Sequence, residues 1–450
     1  MPSHLLELPI ELIYRVMDCL DNFTILCSMF NVCMQLNAII ETYHRYKTIT
    51  ILGWYKNAIT AAAAQHLAHK SSNTTAINTL YLSRNGIGDI GAQYFADALR
   101  INNTLTSLGL HHNNIQDKGA LDLADALTMN KVIFTTLTVL SLDGNRIGDE
   151  GAEHIAIALR TNMTLITLNL AGNEIGSKGA QDFGRALLTN KTLTTLNLDY
   201  NEIGPTGALH LSQNLLINKA ITTLDLSGNP IKVMGVQRLT TALQTNTTLT
   251  TLNLCGNEIQ SEEAKSLADA LHNNTTLVRL NLSADLIGPA QMERLAYALR
   301  TNTALVTLGL DNNEIGDEGA QHLADALRTN TTITVLDISE NEIRAIGAQY
   351  LPDSLQINAI LTTLDLCGNH IGDEGAEKLA DCLRNNTTLT TLNLGSNDIG
   401  LTGIQHLADT LGHNTTLTTL LLDHNRIYDQ GAERLADALR TNKASTYSSI

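Results

Sequence analysis

Residues 305–332 read LVTLGLDNNEIGDEGAQHLADALRTNTT, and variants of this stretch recur along most of the 450-residue chain. In most copies an asparagine follows a Leu-x-Leu triplet, and neighbouring asparagines are 28 residues apart except for one step of 32 between Asn113 and Asn145. Counting a degenerate first copy around Trp54, the fourteen positions are Asn57, Asn85, Asn113, Asn145, Asn173, Asn201, Asn229, Asn257, Asp285, Asn313, Asn341, Asn369, Asn397 and Asn425. Such regular spacing indicates a repeat protein.

Each copy combines two hydrophobic periods. The triplet Leu308-Gly-Leu310 alternates with period two, which favours a short strand with one buried face. Further along, Ala320, Leu323 and Leu327 recur at the spacing of one helical face. A strand followed by a helix, repeated, predicts an α/β fold, a right-handed solenoid of about fourteen 28-residue coils.

The repeated asparagine has a structural explanation. Backbone groups that turn away from the strand need hydrogen-bond partners, and a side-chain amide offers donors and an acceptor. We therefore expect the asparagines to bond from coil to coil, with a local defect at Asp285, which has no amide donor. Gly316 and Gly319 are expected to allow the turn and a close approach of the helix.

Asn-x-Thr sequons also recur at regular places, for example at Asn246, Asn330 and Asn414. Glycosylation of a sequon requires secretion, and the first residues show no basic segment followed by an apolar run. We expect these asparagines to have a structural role where each helix ends before the next strand.

Composition narrows the function classes. A net charge of −16 argues against nucleic acid as a partner, and no run of 18 apolar residues could span a bilayer. None of the six cysteines forms a Cys-x-x-Cys pair, which speaks against zinc and for reduced thiols in the cytoplasm or nucleus. No catalytic constellation, metal site or cofactor motif stands out, so we expect a protein without enzymatic activity.

The concave strand face is the expected partner surface. Residues between and just beyond the strand leucines form a small-residue, polar to acidic trough that could accept a basic partner, or that could merely keep the strands solvated. The candidates are Tyr81, His111, Asp143, Asn169, Asp199, Asp225, Asn253, Arg279, Asp311, Asp337 and Asp365. The face lacks the aromatic and arginine anchors that are typical of interface hot spots.

These units resemble the ribonuclease-inhibitor-like class of leucine-rich repeats over about residues 49 to 442. Repeats of this class also occur in NOD-like receptors and in Ran GTPase-activating proteins. The resemblance implies a horseshoe that binds proteins, with strands inside and helices outside. It is specific for fold and much less so for function.

The first fifty residues do not follow the repeat. Leu-Pro-x-Glu-Leu opens a helix with apolar residues four apart, and a second apolar helix leads to Asn31-Val-Cys. One interpretation is a helical cap on the end of the solenoid. The pattern also resembles the F-box, which implies that an SKP-family linker of a cullin ubiquitin ligase binds Leu8, Pro9, Leu12, Val16, Leu20, Leu26 and Val32.

The predicted organisation is therefore an F-box-like or capping segment at 1–46, a solenoid at 47–442 and a polar tail at 443–450. The F-box resemblance implies a substrate receptor that links a target to a ubiquitin ligase. A GTPase-activating regulator of the Ran type and a stand-alone recognition module of the NOD-like-receptor type are the alternatives.

Overall fold

The computed structural model describes residues 50–59, 61, 63–65, 68, 77–129, 136–259 and 261–442. The chain divides into two compact units, the first ending at Glu202 and the second beginning at Ile203. The F-box-like segment 1–46, with its seven predicted linker-binding residues, and the predicted polar tail 443–450 lie outside the described residues.

In the first unit, the described residues alternate strand and helix. The elements in chain order are β1 (Ile51–Gly53), β2 (Thr79–Tyr81), α1 (Gly88–Leu99), β3 (Ser107–Gly109), α2 (Asp117–Met129), β4 (Val139–Ser141), α3 (Asp149–Leu159), β5 (Thr167–Asn169), α4 (Ser177–Leu187) and β6 (Thr195–Asn197).

The second unit continues the same alternation, and one of its helices is split in two. Its elements are α5 (Gly204–Leu215), β7 (Thr223–Asp225), α6 (Lys232–Leu243), β8 (Thr251–Asn253), α7 (Ser261–Asn273), β9 (Arg279–Asn281), α8 (Pro289–Leu299), β10 (Thr307–Gly309), α9 (Gly316–Leu327), β11 (Val335–Asp337), α10 (Ala345–Ala348), α11 (Leu351–Ile357), β12 (Thr363–Asp365), α12 (Gly372–Leu383), β13 (Thr391–Asn393), α13 (Leu401–Leu411), β14 (Thr419–Leu421) and α14 (Tyr428–Thr441).

Within each unit every strand pairs in parallel with its neighbours in the chain, and the register follows the repeat. Leu308 of β10, for example, is opposite Leu280 of β9 and Leu336 of β11. The described residues hold fourteen strands, all in chain order. The predicted α/β fold of stacked strand–helix coils is confirmed.

The core of each coil is built from aliphatic side chains of similar size. In the coil of residues 305–327, Leu308, Leu310, Ile315, Leu323 and Leu327 are each at most 2% exposed. Because identical positions stack from coil to coil, the side chains form layers that need few large rings. Close packing of such layers supplies most of the stabilisation of a solenoid.

The asparagines that recur every 28 residues, each a few residues after a strand, form a first ladder of hydrogen bonds between coils, as predicted. The Asn369 Oδ1 accepts the backbone N–H groups of Asn341 and Ile343 at 3.0 Å each, and its Nδ2 donates to Ile338 O at 3.0 Å. Each such side chain thus bonds to the preceding coil through both its amide atoms. The degenerate first copy takes part, since Asn57 donates its N–H to Asn85 Oδ1 at 2.8 Å.

Asp285 keeps the accepting bond of this ladder and loses the donating one. Its Oδ1 accepts the Asn257 N–H at 2.6 Å, as an asparagine would. Its buried Oδ2, which replaces the amide nitrogen, has no hydrogen-bond partner. Burial raises the pKa of this carboxyl from 3.8 to about 7, against the opposing effect of three backbone N–H bonds from Asn257, Ile259 and Glu258. The predicted defect is confirmed.

A second ladder runs where each helix ends, and it contains the sequon asparagines. Asn246 Oδ1 accepts the N–H groups of Thr248 and Leu249 at 3.0 and 2.8 Å, and its Nδ2 donates to Leu215 O at 2.7 Å. The structural role that the sequence predicts for the sequon asparagine is confirmed.

A third set of bonds joins the starts of neighbouring helices, and the sequence analysis did not anticipate it. Asp317 Oδ1 accepts the N–H groups of Arg344 and Gly347 at 2.7 and 2.9 Å, so one carboxylate serves the first turn of the next coil. A negative charge is favourable at a helix N-terminus. The same two-bond arrangement is made by Asp89, Asp117, Asp149 and Asp373.

The turn glycines have the two predicted uses. Gly316 has a φ of +60°, which other residues rarely adopt. A Cβ on Gly319 would lie 2.6 Å from Ile315 Cγ2, so only glycine permits this close approach.

Candidate strand-face binding surface

Strand geometry decides which side chains can meet a partner. In every described strand from β2 to β13 the central leucine is buried, and the residues on either side of it turn towards the opposite face of the sheet. We call this opposite face the strand face. The sequence reasoning expects its eleven candidate residues there. Seven of them lie in the strands, at Tyr81, Asn169, Asp225, Asn253, Arg279, Asp337 and Asp365, and four follow two residues after a strand ends, at His111, Asp143, Asp199 and Asp311.

In the first unit the strand face begins with an aromatic residue. Tyr81 is 42% exposed, and a Cβ on Gly109 would lie 2.5 Å from the Tyr81 ring, so the glycine makes room for it. His111 Nδ1 lies 3.3 Å from Ser83 Oγ. Further along, Asp143 Oδ1 accepts hydrogen bonds from Asn169 Nδ2 at 3.1 Å and from Ser141 Oγ at 2.5 Å. Asp199 is half-buried.

In the second unit the strand face is a chain of carboxylates and amides. Asp225 Oδ1 accepts the Ser227 hydroxyl at 2.6 Å, and Asp225 Oδ2 accepts Asn253 Nδ2 at 3.0 Å. Asn393 Nδ2 likewise donates to Asp365 Oδ2 at 3.0 Å. Arg279 is exposed at the start of β9 and is the basic residue that the sequence singled out.

Two neighbouring carboxylates act on Asp337. Burial raises the pKa of Asp337, hydrogen bonds from Ser339 lower it, and the charges of Asp365 and Asp311 raise it further. Neighbouring strands in a sheet are about 4.8 Å apart, so side chains at equivalent positions on successive coils are within electrostatic reach. The result is a local concentration of negative charge, which a cationic partner would relieve.

The strand face is polar, with several carboxylates among its side chains. Its carboxylates are held by local hydrogen bonds, so they present acceptors in fixed positions. Among the described residues, no group of three or more His, Cys, Asp and Glu side chains is arranged to hold a metal ion. None of the helices in the described part of the chain is long and apolar enough to cross a membrane.

Sequence reasoning missed the serines that orient the acidic groups. Ser141, Ser227 and Ser339 each donate to the aspartate that is two residues away. The signal was present as an Asp-x-Ser or Ser-x-Asp pattern at the strand ends. Among the described residues, no disulfide joins Cys255 or Cys367 of the strand face to another cysteine.

An open cavity of about 330 Å³ lies at the last described coil, where β14 and α14 meet. Leu417, Leu420 and Leu435 contribute to its lining, and these positions are buried against a following coil elsewhere in the repeat. None of the predicted strand-face residues lines this cavity.

None of the curated proteins matches the chain in sequence. Among solved structures, an internalin (inlF) from Listeria monocytogenes is 21% identical, with a TM-score of 0.49, over 87% of this chain and 95% of that one. Actin-binding site 2 of leiomodin-1 is also 21% identical, with a TM-score of 0.29, over 40% of this chain and 88% of that one.

The family model described as "Leucine Rich repeat" matches eleven segments that together cover more than half of the chain. The matched residues are 75–96, 102–124, 135–156, 161–184, 189–212, 245–268, 301–324, 329–351, 358–380, 385–408 and 413–436. Each matched segment contains one of the asparagines of the first ladder together with buried leucines and a helix start, and the positions Asn57, Asn229 and Asp285 lie outside the matches. Leucine-rich repeats are protein-binding scaffolds, and this chain belongs to the leucine-rich-repeat family.

Proposed function

We propose that this chain is a receptor that holds a target protein on its strand face and binds an SKP-family linker through residues 1–46, bringing the target to a cullin ubiquitin ligase. The observation that carries the proposal is the F-box-like order of Leu8, Pro9, Leu12 and Val16 directly ahead of a protein-binding solenoid. The chain itself would position the target, and other subunits would transfer ubiquitin.

The linker-binding half of the proposal is tested by point substitution in the full-length chain. Purified SKP-family linker is tested for binding to the wild-type chain and to a Leu12→Asp, Val16→Asp variant. We expect the wild type to bind and the variant to lose binding with the circular dichroism of the repeats unchanged.

The alternative role of residues 1–46 as a cap predicts a different result. A chain that lacks these residues would then melt at a lower temperature, and the full-length chain would not bind the linker. Failure of the full-length chain to bind any SKP-family linker would refute the F-box proposal. Acceleration of GTP hydrolysis by Ran would favour the GTPase-activating alternative.

For the other half, we propose that the target presents lysine and arginine side chains to the strand face of the second unit. Charge complementarity of this kind increases the association rate and selects the partner. Asp225, Asp337 and Asp365 are the residues to change, because the equivalent position carries Asn in Asn253 and Asn393, so the fold accepts the amide.

The test compares two variants with the same change in charge. The strand-face variant carries Asp225→Asn, Asp337→Asn and Asp365→Asn, and the control carries the same substitution at three exposed helix residues, Asp325, Asp381 and Asp409. Binding of a basic peptide library is measured at low and physiological salt. We expect the strand-face variant alone to lose affinity, and equal affinities for the two variants would contradict the proposal.

A further inference from the structure

The second asparagine ladder has a consequence for where the protein can fold. Eight of its members stand in Asn-x-Thr sequons, at Asn102, Asn162, Asn190, Asn246, Asn274, Asn330, Asn386 and Asn414. An N-linked sugar is attached to the asparagine Nδ2. Whether a sugar is compatible with the fold therefore depends on where each Nδ2 lies.

All eight side chains are buried, with exposures between 3% and 6%. In seven of them the Nδ2 donates to a leucine carbonyl of the preceding coil, and in four of these, Asn190, Asn246, Asn274 and Asn330, that distance is 2.7 Å. Attachment of a sugar would remove one Nδ2 hydrogen and place a hexose ring between two packed coils. Two coils in close packing contact leave no room for a group of that size.

At two of the eight positions, Asn190 and Asn414, both amide hydrogens are donated to backbone carbonyls. Asn414 Nδ2 donates to Leu383 O at 2.6 Å and to Asn386 O at 3.2 Å. Asn190 Nδ2 donates to Leu159 O at 2.7 Å and to Asn162 O at 3.1 Å. A glycosylated asparagine at these positions could keep at most one of the two bonds, which leaves a buried carbonyl without its donor.

Oligosaccharyltransferase modifies sequons on the extended chain as it enters the secretory pathway, before coils can stack. We infer that this chain folds only in a compartment without oligosaccharyltransferase, because sugar on any of the eight ladder asparagines would prevent its coil from stacking on the preceding one. This inference is independent of the proposed function, and it separates an intracellular role from an extracellular one for the same scaffold.

The chain contains its own control for the experiment. In three ladder coils the residue two positions after the asparagine is not threonine, and these coils carry Ala220, Ala304 and Ile360 there. The ladder bond is unchanged, because Ala304 N–H donates to Asn302 Oδ1 at 3.0 Å and Thr332 N–H donates to Asn330 Oδ1 at the same distance. Threonine-to-alanine changes therefore remove sequons without removing ladder bonds.

The test directs the full chain into the secretory pathway of cultured cells behind a cleavable signal peptide. The wild type is compared with an eightfold variant that has alanine in place of Thr104, Thr164, Thr192, Thr248, Thr276, Thr332, Thr388 and Thr416. Glycan attachment is followed by mobility before and after enzymatic deglycosylation and by mass spectrometry. Folding is followed by secretion and resistance to limited proteolysis.

We expect the wild type to carry sugar on ladder asparagines, to be retained and to be degraded by protease, whereas the eightfold variant is secreted and resistant. Blocking N-glycosylation with tunicamycin should rescue the wild type, which keeps the test valid if the variant folds poorly. A secreted, protease-resistant wild type would overturn the inference, with or without sugar on the ladder. So would a wild type that stays protease-sensitive under tunicamycin.

Discussion

Replacement of Asp285 by asparagine should stabilise the protein, and by more at neutral and alkaline pH than at pH 5. In the native state Asp285 is fully buried, and its Oδ2 lacks a partner. In other coils the equivalent nitrogen donates to two carbonyl oxygens, as Asn313 Nδ2 does to Leu282 O and Leu310 O at 2.9 Å each. Asparagine at position 285 would supply the Nδ2 donor for the two equivalent carbonyl oxygens and would keep the Oδ1 acceptor.

The magnitude follows from the pKa. Burial raises the pKa of Asp285 from 3.8 to about 7, and each pKa unit corresponds to about 1.36 kcal/mol, which gives about 4 kcal/mol. The unfolded chain loses this proton near pH 4 and the folded chain loses it near pH 7, so the folded state binds more protons between these values. The free energy of unfolding therefore falls as pH rises through this window and levels off above it.

The measurement is urea unfolding at several values between pH 5 and pH 8.5, for the wild type and the Asp285→Asn variant. We expect the gain in unfolding free energy from Asp285→Asn to be larger at pH 8.5 than at pH 5 by about 2.5–3 kcal/mol, because the unfolded chain has already lost its proton at pH 5. Repeat proteins can unfold in stages. Hydrogen exchange of the amides of Asn257 and Ile259 shows whether the gain is local to the defect.

A matched control places an aspartate at another position of the same ladder. Asn341 is also fully buried and occupies the same ladder position, so Asn341→Asp should create a second pH-dependent loss of similar size. Parallel pH profiles for the wild type and Asp285→Asn would refute the reasoning, because they would mean that the carboxyl has the same pKa in the folded and unfolded chains.

Three further predictions test the other contacts. Asn341→Ala should lower the free energy of unfolding by about 1–3 kcal/mol per group left unpaired, because Asn341 Nδ2 donates to Leu310 O and Ser339 O at 2.8 Å each; an unchanged urea midpoint would show that water replaces the amide. Gly347→Ala should also destabilise, by about 1–3 kcal/mol, because its Cβ would lie 2.5 Å from Asp317 Oδ1 and 2.9 Å from Asp317 Cα; the thermal midpoint measures this, and an equally stable variant would mean that the neighbouring coil yields. Burial raises the pKa of Cys382 to about 12, so iodoacetamide at pH 8 should alkylate it only after unfolding, as followed by peptide mass spectrometry, since the thiolate is the reactive form; rapid labelling of the native chain would contradict its burial.

Much of the fold could be predicted from the sequence because the same local pattern recurs in fourteen copies, and each copy supports the same assignment. Leu-x-Leu, the following asparagine and the helical leucines predicted strand, turn and helix correctly in each described coil. The position of Asp285 in that pattern was enough to predict the ladder defect. The orientation of Asp225, Asp337 and Asp365 followed from the two-residue period of a strand.

The contacts between neighbouring coils could not be read in the same way. Asp317 accepts backbone N–H groups at the helix start of the next coil, about thirty residues away. Nothing in the sequence of its own coil reveals that its carboxylate accepts these bonds. The grouping of carboxylates around Asp337 likewise depends on side chains that are one coil apart. Function is less determined still, because a scaffold's partner is selected by small side-chain differences on a uniform face.

The sequence by itself determined the repeat, its secondary structure and which face of each strand is buried, because these depend on periodicities within 28 residues. Only the tertiary structure decided which atoms the recurring polar side chains bond to and how far those bonds are buried. Stacking brings the amide of one coil against the backbone of the preceding coil, and it removes both from water. That burial turns Asn246 from an apparent glycan acceptor into a structural donor and turns Asp285 from an ordinary acid into one that holds its proton near neutral pH.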